Sequence, residues 1–260
     1  MVVEHEVISL PSATVLAVVR RETRNRAAPP NAVAVLADPV FERDDPRLGP
    51  AANASGRPGS VRSADRSDRF PRLIATRQEA DAVLASAQGK TLRAMGFDAS
   101  RKTVMDADLA QYKVVHFATH GIFDNESPGQ SGVVLSMFDS RGRPQDGFLR
   151  LHDIYGLKLP AELVVLSACN TALGKPVRGE GLVGMVRGFM YAGAKRVVAS
   201  YWKVDDEATG QLMGRFYMEL LKQNRTPAAA LRQAQLAMMQ HDRWRPPFYW
   251  AAFALQGEWR

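Results

Sequence analysis

The amino-acid sequence predicts an α/β fold: a mostly parallel central sheet with helices on both faces. Three observations predict it. Continuous apolar runs such as Leu163–Ala168 (LVVLSA) have no polar side, as strands buried on both faces require. Helical patterns separate these runs, so strands and helices alternate along the chain. Of the 260 residues, 46% are apolar and 23% charged, ordinary globular composition with enough apolar surface for a covered sheet.

The elements follow in order. Val33–Ala37 (VAVLA), bounded by Pro30 and Asp38-Pro39, reads as a buried strand. Residues 44–69 lack any period and are rich in Pro, Gly, Ser, Ala and Arg, which predicts a long, flexible loop. RQEADAVLASAQ (77–88) is helix material stopped by Gly89. Lys113–Thr119 and Gly132–Met137 read as strands, the first running into His120-Gly121, and Leu163–Ala168 ends at Cys169. After a glycine-rich loop, Leu182–Ala192 forms a helix closed by Gly193, and Arg196–Trp202 forms the next strand. A helix over Asp205–Lys222 carries acids in its first turn, where the helix dipole favours them. Pro227 opens a last helix to about Gln240, and Tyr249–Leu255 closes the sheet.

Charge and cysteine content narrow the function. The net charge is +7, but residues 1–72 carry 11 basic and 9 acidic groups and residues 203–260 carry 8 and 6. So even a spread predicts no specific nucleic-acid interface. No apolar run approaches the roughly 18–20 residues of a membrane span. Glu4 and Glu6 stand where a signal peptide needs positive charge. A soluble cytoplasmic protein without membrane contact is expected. One cysteine excludes an internal disulfide and a multi-cysteine zinc site.

In sheets of this kind, catalytic groups gather outside the carboxyl ends of the strands. His120 and Cys169 each follow a buried strand there. A thiol is mostly protonated at neutral pH, and an imidazole within reach can take its proton or protonate a leaving amine. Gly121, without a Cβ, lets a backbone N–H approach a developing oxyanion. From these residues alone a second reading stands equally: Cys169 as a buried structural thiol and His120 as a loop histidine.

FATHG around His120 and LSACNT around Cys169 resemble the CHAT peptidases, a caspase-like family often fused to tetratricopeptide repeats. GEGLVG (179–184), AGAKRVVASYWKVDDEAT (192–209), FY at 216–217 and YWAAFALQGE near the end extend the likeness, as do LPSATVL (10–16), ADPVF (37–41) and FPRLIATRQEA (70–80). The resemblance runs from about residue 5 to 258. It implies a caspase-like α/β fold related to caspases, gingipains and separase, with a Cys169–His120 dyad, no metal and no cofactor. The function it implies is cysteine endopeptidase action on protein substrates. WKVDD is also similar to the WxVxD stretch of separase, whose aspartate accepts a basic P1 side chain; by that likeness Asp206, with Asp205 behind it, is the candidate S1 group.

CHAT domains usually carry roughly a hundred further residues before the PSATVL-like segment, whereas only nine precede Leu10 here. Residues 1–43 are therefore expected to be a remnant of an N-terminal regulatory half, 44–69 the flexible loop, and 70–260 the catalytic domain of one N-terminally short CHAT domain. The missing region, or a regulatory or tetratricopeptide-repeat partner, would complete it. The alternative is a non-catalytic interaction module that kept the peptidase shape.

Other motifs carry less. Residues 179–184 match GxGxxG, but ten residues separate Ala168 from Gly179, and a phosphate turn must follow its strand directly. His116, His120 and Cys169 could be three zinc ligands, yet His116 lies inside an apolar strand and reads as a satisfied core histidine. Tyr201, Trp202, Phe248, Tyr249 and Trp250 read as core aromatics, with Trp202 set apart by its place just before Asp205 and Asp206.

Overall fold

The structure is a computed structural model of the chain and describes residues 1–10, 12–49, 70–123, 128–170, 180–202 and 205–259. Its elements are β1 (Ile8–Ser9), α1 (Ala13–Thr23), β2 (Asn31–Ala37), α2 (Ala75–Ser86), β3 (Thr91–Met95), α3 (Arg101–Asp106), β4 (Tyr112–Ile122), β5 (Gly132–Val134), β6 (Phe148–Arg150), α4 (Leu151–Gly156), β7 (Leu163–Asn170), α5 (Glu180–Tyr191), β8 (Arg196–Ser200), α6 (Asp206–Tyr217), α7 (Pro227–Met239) and β9 (Phe253–Gly257). The sheet runs β1-β9-β8-β7-β4-β2-β3. Strands β3, β2, β4, β7 and β8 are parallel, so their carboxyl ends share one edge. β9 enters antiparallel to β8, which lets the chain return without a further crossover.

Strand alternation divides the core. Val115 and Phe117 of β4 face one side with Leu36, Leu166 and Phe189, covered by α1, α3, α4 and α5. Val114 and Ala118 face the other with Val35, Val165, Leu212 and Phe216, covered by α2, α6 and α7. Because every central position is buried on one face or the other, the sequence shows unbroken valine-rich runs rather than polar alternation. The expected α/β architecture is observed, and residues 31–37 lie within the same sheet as the second half.

Several boundaries differ from the sequence expectation. β5 stops at Val134 and runs antiparallel to β4, taking the side of its upper end that β2 leaves open beyond Ala118. Gly132 is required there: a Cβ would stand 2.5 Å from the Leu149 carbonyl oxygen. β8 ends at Ser200 rather than Trp202. The final strand begins at Phe253, since Pro247 opens a 3-10 turn over Pro247–Tyr249. The helix expected to Lys222 passes into a π-turn over Met218–Lys222. Unmarked in the sequence reading, α1 begins at a Ser12 cap whose side chain accepts from the Val15 N–H at 3.1 Å. The loop expected over 44–69 is described only to Gly49, and the remainder lies outside the described residues. In the GxGxxG stretch, Gly179 lies outside them too, and 180–184 open helix α5.

Candidate functional site

The carboxyl edge collects the candidate residues. His120 and Gly121 lie within β4, whose pairing continues to Ile122, and not after its end as the sequence reading has it. Likewise Cys169 lies inside β7, as the register partner of His120, with Asn170 beside Gly121. Neighbouring strands stand about 4.8 Å apart, so the two backbones meet at hydrogen-bonding strand distance. A gap of 49 residues in sequence thus closes to adjacency at the middle of the sheet. Gly121 is buried, with Val133 as its other register partner.

His120 is enclosed, at 2% exposure. Phe41 and Phe70 pack tilted on its ring, with centroids 4.8 and 5.5 Å away. Its Nε2 lies 2.7 Å from the Pro71 carbonyl oxygen. A carbonyl only accepts, so Nε2 carries a proton; in the neutral imidazole Nδ1 is then the lone-pair nitrogen. The backbone thereby sets the tautomer, a job that a carboxylate does in a triad. Phe41, Glu42, Asp44, Asp45, Pro46, Phe70, Pro71 and Arg72 line a cleft of about 330 Å³ next to the ring.

Beneath Pro71 lies a charged cluster. The Asp38 carboxylate, fully buried, takes a two-pronged contact from Arg72, Nε to Oδ1 and Nη2 to Oδ2, both 2.8 Å. Arg77 and Arg47 reach the same carboxylate at 3.0 and 3.1 Å. Hydrogen bonds to Asp38 hold the Arg72 guanidinium above its ordinary pKa despite burial. Burial pushes Asp45 up, but bonds from the Arg47 side chain and backbone hold it below the usual carboxylate range.

On the other side of β7, Asp205 caps α6: it is exposed, and its Oδ1 accepts from the Ala208 N–H at 2.9 Å. Asp206 is half-buried in the first turn. Trp202 and Phe248 are exposed here, at 37% and 53%, with the Trp202 indole N–H donating to the Phe248 carbonyl. Trp250 is buried, as expected of a core aromatic, whereas Tyr201 and Phe248 are exposed and so depart from that expectation.

His116 lies apart from this edge. It is fully buried, with Nδ1 2.9 Å from the Tyr217 hydroxyl. Its Nε2 stands 3.1 Å from Glu79 Oε1, an ion-pair distance at an angle outside hydrogen-bond geometry. Glu79 and Tyr217 occupy it from α2 and α6, as a core histidine's partners do.

The CHAT domain pattern matches residues 1–258 of this sequence. The chain belongs to the CHAT domain family. Its relatives include tetratricopeptide repeat protein 28 of Homo sapiens, 29% identical over 192 residues, and that of Mus musculus, 30% identical over the same length. Each match covers 63% of this CHAT chain and 8% of the relative, so the likeness spans a small part of those proteins. Among solved structures, the Arg-specific cysteine proteinase gingipain R matches with a TM-score of 0.50 and 13% identity, over 89% of this chain and 46% of that one. That likeness shows the fold, caspase-like as expected.

The sequence reading missed Pro71, Phe41, Phe70 and the Asp38 cluster. ADPVF and FPRLIATRQEA stood out as family-like stretches, yet neither carries a cysteine or histidine, and a single carboxylate in each, Asp38 and Glu79, announces no role by itself. Pro71 acts through its backbone, which composition does not reveal. No helix among the described residues is long and apolar enough to cross a membrane.

Proposed function

We propose that this CHAT domain is a cysteine endopeptidase in which Cys169 attacks the scissile carbonyl. The observation that carries the reading is the register pairing of His120 with Cys169 on adjacent central strands, with Pro71 fixing the histidine tautomer. His120 takes the thiol proton through Nδ1, and the imidazolium then gives it to the leaving amine. The Nε2–H stays on the Pro71 carbonyl throughout, so the ring does not turn between the two transfers. Gly121 and Cys169 supply the backbone N–H groups toward the oxyanion. The acyl-enzyme is released by water, with His120 now acting as base.

Asp206 receives a basic P1 side chain, with Asp205 holding the helix start behind it. A guanidinium on a partly desolvated carboxylate is strong and oriented, and an apolar P1 leaves that carboxylate unpaired. The substrate is a protein, and the chain acts in the cytoplasm, without cofactor or metal. A tetratricopeptide-repeat partner fits the family context of the relatives.

A peptide-library digest by wild type and Cys169→Ala, side by side, tests this. Cleavage after Arg or Lys by wild type alone is the expected result. Equal cleavage by both removes Cys169 from the mechanism. No cleavage by wild type, together with iodoacetamide labelling of Cys169 no faster than that of a buried thiol, favours the non-catalytic interaction module.

A further inference from the structure

We propose that Asp38 is a positioning residue for His120, acting through Arg72 and the peptide unit between Pro71 and Arg72; the inference rests on the peptidase reading above. The carbonyl on His120 Nε2 belongs to that peptide unit, since it is bonded to the Arg72 nitrogen. Arg72 therefore carries both ends of the link: its side chain grips Asp38 and its backbone presents the oxygen to the imidazole. A bidentate guanidinium–carboxylate pair fixes direction as well as distance, and that restraint is passed to the adjoining peptide plane.

Asp38 is itself anchored in the sheet frame. It follows Ala37, the register partner of Ala118, two residues before His120 in β4. Its backbone lies in the left-handed region at φ 50°, which aspartate and asparagine tolerate better than most residues. The Asp38 N–H donates to Thr76 Oγ1 at 3.2 Å and its carbonyl accepts from Arg47 Nη1 at 2.7 Å. Phe70, which packs on the imidazole, is held by its N–H on Glu42 Oε1 at 3.0 Å. Both stretches that enclose His120, residues 41–47 and 70–77, are thus pinned to one buried carboxylate. A fully buried carboxylate drawing three guanidinium groups is an expensive arrangement for stability alone, and removing it strands the arginines.

The charged groups on the segments around the imidazole are Asp38, Glu42, Arg43, Asp44, Asp45, Arg47, Arg72 and Arg77. Asp38→Asn keeps the volume and the left-handed backbone but releases the Arg72 fork. Two consequences push His120 in one direction: the arginines lose a counter-charge, and the loosened carbonyl supports the Nε2–H less well. Both disfavour the imidazolium.

The test is the His120 titration followed by NMR, assigned by the signal lost in His120→Gln, together with steady-state kinetics. In Asp38→Asn the titration moves to lower pH, and kcat falls roughly 10–100-fold while KM changes by less than about threefold. Arg72→Lys keeps the charge but not the fork; it loses kcat similarly, with a smaller titration shift. A folded Asp38→Asn protein with an unmoved titration and wild-type kcat overturns the proposal. Should Asp38→Asn fail to fold, Arg72→Lys decides by the same two readouts. A wild type that cleaves nothing and whose Cys169 labels no faster than a buried thiol, yet whose His120 titration shifts in Asp38→Asn, sinks the peptidase reading and leaves the positioning role standing.

Discussion

Strand β4 carries two histidines, His116 and His120, four residues apart in the same alternation of faces. At His116, β2 and β7 flank the strand at Val35 and Val165, and helices α2 and α6 close over the ring with Glu79 and Tyr217. The Tyr217 hydroxyl meets Nδ1 at hydrogen-bond distance, and the Glu79 carboxylate stands at ion-pair distance from Nε2. At His120 the described partners come from segments outside the helices: Phe41, Phe70 and the Pro71 carbonyl. One turn of chemistry separates a histidine that belongs to the core from one poised beside a thiol strand. What differs is depth along the strand: helices seal its middle, and loops furnish its carboxyl end.

Replacing each histidine should break the comparison in opposite ways. His120→Ala is expected to lower kcat/KM on a cleavable peptide by on the order of 10⁴-fold, with the double variant with Cys169→Ala no worse than either single one. Because the ring is buried between Phe41 and Phe70, this truncation should also cost about 1–3 kcal/mol of stability, so kcat/KM is measured on the folded protein. His116→Ala leaves the Glu79 carboxylate, 1% exposed, without its imidazole, which should cost about 3–5 kcal/mol in denaturant unfolding. The folded fraction should retain its kcat. A His116→Ala protein as stable as wild type would mean the buried pair contributes nothing.

The next effect belongs to Asp206. Asp206→Ala should reduce the preference for Arg over Leu at P1 by about 10²-fold, roughly 3 kcal/mol of transition-state binding. Ratios of kcat/KM on matched peptides measure it. An unchanged ratio makes Asp206 a helix-terminal charge only.

A smaller effect sharpens the picture of the His116 site. Burial, reinforced by the charge of Glu79, raises the Tyr217 pKa well above 10. In the unfolded chain the phenol ionises near 10, so the folded state binds the proton more tightly. The stabilisation is therefore complete below pH 10 and declines as pH rises above it, by at most about 1.4 kcal/mol per pH unit. Tyr217→Phe should remove that part of the alkaline slope while losing about 1–2 kcal/mol at neutral pH, from the hydrogen bond to His116. An alkaline slope equal in both proteins would assign it to other groups.

The sequence made the central strands legible because burial on both faces leaves an unbroken apolar run, and Leu163–Ala168 could hardly be anything else. It made His120 and Cys169 legible because both end such runs. Short edge elements were harder: β1 pairs over two residues, Ile8 and Ser9, and β3 has exposed positions at Thr91 and Arg93, so neither leaves a pattern. The antiparallel turn of β5 depends on β4 outrunning β2, a property of the assembled sheet. Pro71 and Asp38 were illegible as site residues for a related reason. Their roles arise from a carbonyl and an ion cluster that join residues 38 to 77 in space, and no local spacing encodes that.

Asp205 and Asp206 repeat the lesson of the two histidines at smaller scale, and the weakest predicted effect lies here. Asp205 spends its carboxylate on the Ala208 N–H, one of the donors that the first turn of α6 cannot satisfy internally. Its backbone is extended, at φ −70° and ψ 134°, as a capping residue requires. Asp205→Ala should cost about 1 kcal/mol, seen as a fall of roughly 2–4 °C in thermal midpoint. Because Asp206 and Glu207 remain in the first turn, the favourable dipole interaction persists and α6 should still start in place. Asp205→Asn, which caps equally well, should recover most of the loss. The Arg-over-Leu ratio should move by only about a few-fold in Asp205→Ala, through a looser helix start rather than a lost contact. If Asp205→Ala instead matches the 10²-fold change expected of Asp206→Ala, then Asp205 meets the P1 side chain itself and the division of labour between the two aspartates is the reverse.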